Sequence, residues 1–143
     1  MMLKLNRSKQ RGISLLEVLL SLSVIAIILV MATRYYRSAQ QSQQVSNAVS
    51  MISGIVTAET QYKAANNNTF VDLATLVTKG YLPPNFGTDP WGGTLSVTEA
   101  GGEYTIASTS TIPPNTCTML NTTLAQSASS GGCDGGKLSV NYQ

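Results

Sequence analysis

The strongest chemical signal in the sequence is a glycine followed five residues later by an acid, Gly12 and Glu17. A basic stretch ends at Gly12, and the apolar run ISLLEVLLSLSVIAIILVMAT begins at Ile13. Glycine has no side chain, so it suits a protease that must read an extended peptide bond at the edge of a membrane. We therefore expect cleavage between Gly12 and Ile13, which would leave a free amine on Ile13.

Glu17 is the one residue that does not fit the apolar run around it. An ionised carboxylate in hydrocarbon is costly, so it must either protonate or find a cation. Cleavage would supply that cation, because the amine of Ile13 would lie about one helical turn (~6 Å) from Glu17. The amine of a neighbouring copy could come closer, and the low dielectric among packed helices would strengthen the pair. We expect Glu17 to act in assembly, where only a correctly staggered neighbour satisfies it.

The apolar run has the length of a membrane span. Residues 13–33 are 21 residues, and a helix of that length covers about 30 Å, the thickness of a bilayer core. Four bases precede the run and two follow it, so the N-terminus is expected to stay in the cytoplasm. The six bases are Lys4, Arg7, Lys9, Arg11, Arg34 and Arg37.

Two simpler interpretations of the run leave Glu17 without a purpose. An ordinary secretory signal would be cut after the small residues that end at Ala32, but its apolar core is only about 7–15 residues long. A plain single-span membrane anchor has the right length and no use for an acid. Both remain alternatives to cleavage at Gly12.

The charges and the residue types exclude several functions. The first twelve residues carry +4, whereas the rest of the chain holds five bases and seven acids and carries −2. The body after Gly12 has no basic stripe, so nucleic-acid binding is not expected. The chain has no histidine, and two cysteines supply too few ligands for a zinc site. We predict neither an enzyme nor a bound metal or cofactor.

The periodicity predicts an α+β chain in four segments. These are a basic leader (1–12), the apolar half of a long helix (13–33), its amphipathic half (34–65) and a globular head (66–143). The apolar stripe of the second half is Val45, Val49, Ile52, Val56 and Tyr62. In the head we predict a short helix at 72–80, strands at 94–98 and 104–108, a helix from Pro113, a flexible loop at 127–132 and a last strand at 137–142. The helix should pack on an antiparallel sheet of at least three strands.

The run RGISLLEVLLSLSVIAIIL resembles the N-terminal motif of type IV pilins and of the pseudopilins of type II secretion. The resemblance implies that Gly12 ends the leader, that a prepilin peptidase cleaves there, that Ile13 becomes the methylated N-terminus, and that Glu17 is the acid of the motif. It also implies a pilin fold and a precursor in the bacterial inner membrane. An assembly platform in that membrane would then build the subunits into a homopolymeric extracellular filament.

Two features of the head point to different branches of that superfamily. Its strand after a glycine pair and its two late cysteines resemble the C-terminal domain of type IVb pilins, which implies a disulfide between Cys117 and Cys133. In a chain that leaves the cytoplasm two cysteines allow only one pairing, whereas in a cytosolic protein both would be free thiols. The segment Asp89-Pro90-Trp91-Gly92 instead resembles a loop of the major pseudopilins, which bind calcium near it. One acid is a poor calcium site, and a core anchor is the favoured role for Trp91.

The predicted function is therefore that of a structural subunit of a type IVb pilus, serving adhesion or aggregation. One alternative is a pseudopilin of a type II secretion system. Another is a membrane-anchored binding module that stays monomeric.

Overall fold

The computed structural model describes residues 14–143, so the predicted leader and the junction between Gly12 and Ile13 lie outside the described residues. The chain divides into two compact units, one ending at Ser38 and the other spanning Ala39–Gln143. The helices are α1 (Leu15–Ala65), α2 (Leu73–Thr78) and α3 (Pro114–Leu124), and the strands are β1 (Leu95–Ala100), β2 (Glu103–Ser108), β3 (Ser130–Asp134) and β4 (Lys137–Tyr142).

Helix α1 ends where the asparagine run begins. Asn67 and Asn68 have φ of 53° and 65°, a left-handed conformation that asparagine tolerates better than most residues. The backbone N–H of Asn68 donates to the carbonyl of Lys63 at 3.1 Å and closes the last turn. The predicted end of the long helix at Ala65 is confirmed.

The four strands form one antiparallel sheet in the order β1-β2-β4-β3. Its central strands alternate buried and exposed residues, so that Ile106 of β2 lies opposite Val140 of β4 in the core. The β1–β2 turn holds Gly101 and Gly102, whose φ values of 65° and 88° are those that a tight two-residue hairpin requires. The predicted hairpin and last strand are therefore present.

In the second unit, one face of α1 packs into the same core as the sheet. Its buried residues recur at steps of three and four along the helix, which is the spacing of a single helical face. They are Val45, Ala48, Ile52, Ile55, Ala58 and Glu59. Of the predicted stripe, Val45 and Ile52 are buried, and the others are half-buried and pack against the core: Val49, Val56 and Tyr62. The predicted fold class, a long helix packed on a small antiparallel sheet, is confirmed.

The predicted flexible loop at 127–132 was partly wrong, because edge strand β3 begins at Ser130. Gly131 lies opposite Val140 of β4, and a Cβ on this glycine would collide with the carbonyl oxygen of Ser139. A sequence of serine and glycine carries no strand propensity. The strand forms because its glycines permit a close approach of backbones that no other residue allows.

Candidate functional site

The first part of α1 exposes large apolar side chains around its whole circumference. Thirteen of them lie between positions 15 and 31, and their exposed fractions run from 44% at Val18 to 79% at Leu15. Within residues 14–143, α1 is the one helix that is long and apolar enough to cross a membrane. An exposed apolar surface of this extent needs a cover of lipid or of other helices.

The hydroxyl groups in this part of α1 are satisfied within the helix. Ser21 donates to the carbonyl of Glu17 at 2.6 Å, Ser23 donates to Leu19 at 2.8 Å, and Thr33 donates to Val30 at 3.0 Å. Such bonds let serine and threonine lie in an apolar medium without an outside partner. Because these hydroxyls are paired within the helix, they do not prevent this part of α1 from lying in an apolar medium.

Glu17 differs from these residues because its carboxylate has no hydrogen bond inside the helix. Its side chain is exposed in the first turn of α1, where its backbone N–H donates to the carbonyl of Ser14 at 2.9 Å. A carboxylate at a helix N-terminus is favoured by the helix dipole. Its predicted partner, the amine of Ile13, lies outside the described residues, so the pairing stays a prediction.

In the second unit, the two cysteines join α3 to the edge strand. Cys117 and Cys133 are bonded, with their Cα atoms 5.2 Å apart, and both are buried. Asn121, one turn after Cys117, donates from its side-chain amide to the carbonyl of Cys133 at 2.9 Å and accepts the backbone N–H of the same residue. The disulfide and this amide clamp together hold β3 in place against α3.

The buried carboxylate of Asp89 links the loop that contains Trp91 to the end of β2. One carboxylate oxygen accepts the backbone N–H groups of Trp91 and Gly93 at 3.0 and 2.9 Å, and the other accepts the hydroxyls of Ser108 and Ser110. Burial raises the pKa of Asp89, but the four hydrogen bonds outweigh it and the net pKa is lowered. Four protein donors engage both oxygens, so the carboxylate has a structural role that sequence analysis missed.

Trp91 packs against the core beside this junction, as its predicted role of anchor requires. Its indole N–H is buried and has no hydrogen-bond partner among residues 14–143. Gly93 sits where a Cβ would lie 2.5 Å from the backbone nitrogen of Ser110, so no other residue fits there without a shift of the backbone. A close approach thus explains Gly93, whereas its neighbour Gly92 has a φ of 85°, a left-handed conformation that favours glycine.

Glu59 is a fully buried acid on the core face of α1, and sequence analysis did not identify it. Its Oε2 accepts the backbone N–H of Val71 at 3.3 Å, whereas its Oε1 has no partner. Burial raises the pKa of Glu59 to about 7, and the charges of Asp72 and Glu99 add to that effect. A sequence signal existed, because Glu59 lies seven residues after Ile52, on the same face of the helix.

Among residues 14–143, three or more acids or cysteines converge nowhere in an arrangement that could hold a metal.

The comparisons with known proteins add one match. Residues 7–33 match the family described as the prokaryotic N-terminal methylation motif. No curated protein and no solved structure gives a significant match. The match covers the apolar run and Glu17, and it agrees with the exposed helix of the structure. The matched segment is similar to the N-terminal segment of type IV pilin-like proteins, and the long apolar helix fits a membrane-anchored precursor.

Proposed function

We propose that this chain is the subunit of a type IVb pilus, which polymerises through its N-terminal helix into an extracellular filament for adhesion or aggregation. The observation that carries the proposal is the pairing of the methylation motif at 7–33 with a helix whose apolar side chains are exposed on all sides. The two cysteines that tie the last strands to α3 support the type IVb branch.

The apolar half of α1 cannot stay in water at any stage. Burial of one large apolar side chain is worth about 1.5–3 kcal/mol, so the thirteen exposed ones represent roughly 20–40 kcal/mol. Lipid covers this surface in the precursor, and the helices of neighbouring subunits cover it in the filament. When neighbouring helices replace lipid around this surface, its hydrophobic free energy of burial stays nearly unchanged. Polar groups therefore decide whether a neighbour is correctly placed.

Processing creates the polar group that Glu17 requires. Prepilin peptidase cleaves after Gly12 and removes the +4 leader, and the new terminal amine on Ile13 is methylated. In the cleaved chain, that amine is the only cation on the N-terminal side of the apolar segment. The carboxylate of Glu17 pairs with the Ile13 amine of a neighbouring subunit, and this pair sets the stagger of the subunits.

Mass spectrometry of the mature chain tests the processing step. We expect an N-terminal methylated Ile13, and Gly12→Leu should retain the leader and build no filaments. A mature chain that begins at Thr33 would contradict the proposal and indicate an ordinary signal peptide.

The Glu17→Ala variant tests the assembly step in cells that carry the peptidase and the assembly platform. It should insert and be cleaved as the parent is, yet yield no sheared filaments. Ser21→Ala is the matched control, since its hydroxyl bonds within the helix, and it should assemble normally. Normal filaments from Glu17→Ala alone would refute the role of Glu17.

A pseudopilin of type II secretion is the second candidate, favoured by the resemblance of the segment Asp89-Pro90-Trp91-Gly92 to the major pseudopilins. Deletion of the gene separates the two. Loss of surface filaments with normal protein export supports the pilus, and loss of export supports the secretion system. A chain that stays monomeric after cleavage would instead be a membrane-anchored binding module.

A further inference from the structure

Four residues with exposed side chains form a collar where the apolar part of α1 ends. They are Arg34, Tyr35, Tyr36 and Arg37, and the two tyrosines are 81% and 62% exposed. Successive residues of an α-helix are about 100° apart, so four in a row occupy the whole circumference. The two arginines lie near each other on one side, and the tyrosines occupy the remainder.

An apolar groove runs along the helix to this collar. It is lined by Ala26, Ile27, Val30 and Met31, ends at Arg34, and has a volume of about 360 Å³. Ala26 and Val30 are one turn apart, and the small side chain of Ala26 leaves the depression between larger neighbours. The groove is apolar along its length and cationic at one end.

The charges of the collar have no complement nearby on α1. The sequence holds no acid between Glu17 and Glu59. Glu17 is 17 residues before Arg34, which is about 25 Å along a helix. The arginines also follow the apolar run, on the side of a membrane where basic residues are usually depleted. At this position the two arginines are suited to bind an anionic group at the membrane surface.

We propose that the collar and its groove bind an anionic phospholipid in the leaflet away from the N-terminus. The acyl chain lies along the groove from Ala26 to Met31, and Arg34 and Arg37 bind the phosphate. Arginine suits this role because its planar guanidinium donates two parallel hydrogen bonds to phosphate oxygens. Tyr35 and Tyr36 place their rings at the level of the headgroups, as tyrosines at membrane interfaces do. The inference rests on the proposed membrane-inserted precursor.

The test is native mass spectrometry of the full chain, released from detergent after addition of phosphatidylglycerol or phosphatidylcholine. Each arginine near an anionic lipid surface contributes roughly a fivefold gain in affinity, so the two together should make the parent prefer phosphatidylglycerol by about 25-fold. The double variant Arg34→Gln/Arg37→Gln should lose this preference. The double variant Lys79→Gln/Lys137→Gln removes the same charge from exposed positions in the head and should keep it.

A second pair of variants tests the groove without a change of charge. Ala26→Leu fills the groove and should weaken retention of phosphatidylglycerol, whereas Ala32→Leu adds the same side chain outside the groove and should not. Equal retention of the two lipids by the parent, or equal losses in Ala26→Leu and Ala32→Leu, would overturn the proposal. Dimers that depend on Arg34 and Arg37, without a lipid preference, would also overturn it and assign the collar to a second copy.

Reconstitution into vesicles distinguishes this failure from failure of the proposed function. A chain that inserts equally into phosphatidylcholine vesicles with and without phosphatidylglycerol, and shows no lipid preference, refutes only the lipid site. A chain that enters neither kind of vesicle refutes the membrane-inserted precursor itself.

Discussion

The buried acid Glu59 makes a prediction about stability against pH. Substitution Glu59→Gln keeps the shape of the protonated side chain and an acceptor for the backbone N–H of Val71. It removes the one fully buried titratable group of α1. We therefore expect Glu59→Gln to flatten the pH dependence of stability between about pH 5 and 8 and to exceed the parent in stability at the upper end.

The sign and size follow from the pKa of Glu59, which is 4.5 in a free side chain and about 7 in the folded protein. Between these values the folded protein keeps a proton that the unfolded chain releases, so the free energy of unfolding falls as pH rises through the window. At 1.36 kcal/mol for each pKa unit, the full loss is about 3 kcal/mol. The amide of the glutamine, which replaces the unpartnered Oε1, would offset part of the gain.

The other groups with a shifted pKa titrate outside the range from about pH 5 to pH 8. The chain has no histidine. The pKa values of Asp72 and Asp89 are lowered from 3.8, so the stability they contribute is lost only as the pH falls below about 4. Their effect has the opposite sign and lies at lower pH. A decline above pH 5 that vanishes in Glu59→Gln is therefore assignable to Glu59.

The assay is chemical denaturation of the full chain in detergent micelles at several pH values, followed by far-UV circular dichroism. Glu103→Gln is the matched control, because it removes an exposed carboxylate from the same unit. The reasoning is refuted if parent and Glu59→Gln show the same pH dependence, or if the parent becomes more stable from pH 5 to pH 8.

Three further predictions concern the head. Cys117→Ser/Cys133→Ser should lose about 3 kcal/mol of stability, as expected for a cross-link over 16 residues, and two reactive thiols in the unreduced parent would contradict the bond. Asn121→Asp, which cannot donate to the carbonyl of Cys133, should lose about 1–3 kcal/mol in urea denaturation, and an unchanged midpoint would dismiss the clamp. Gly93→Ala should lower the thermal midpoint by the equivalent of about 1–3 kcal/mol, because its Cβ would press on the backbone of Ser110, and a parent-like midpoint would show that the loop has room.

The outline of the fold was predictable because most elements carry a local signal. Asp72 caps α2 with its carboxylate on the N–H of Thr75, and Pro114 opens α3, as sequence rules for helix starts require. The alternation along β4 and the glycine pair between β1 and β2 likewise act within a few residues. The match at 7–33 has the same local character, since it lies on one continuous segment that contains Gly12, Glu17 and the apolar run.

The features that escaped prediction depend on residues far apart in sequence. Strand β3 exists because Gly131 meets β4 and because Asn121, on another element, bonds the backbone of Cys133. Asp89 is held by Ser108 and Ser110, about twenty residues later. No periodicity encodes such meetings. Glu59 does lie on the same helical face as Ile52, but an acid at such a position is usually assigned to the surface. Sequence patterns predict which elements form, but not which polar groups they bury together.

The intrahelical bonds of Ser21, Ser23 and Thr33 have a consequence for how a subunit recognises direction. Away from the groove at Ala26, aliphatic side chains cover every side of this part of α1, so hydrophobic contact alone tells a neighbour little about rotation around the helix axis. Glu17 breaks that symmetry at a single azimuth. In the filament that we propose, this one carboxylate would set the rotation of a subunit as well as its stagger.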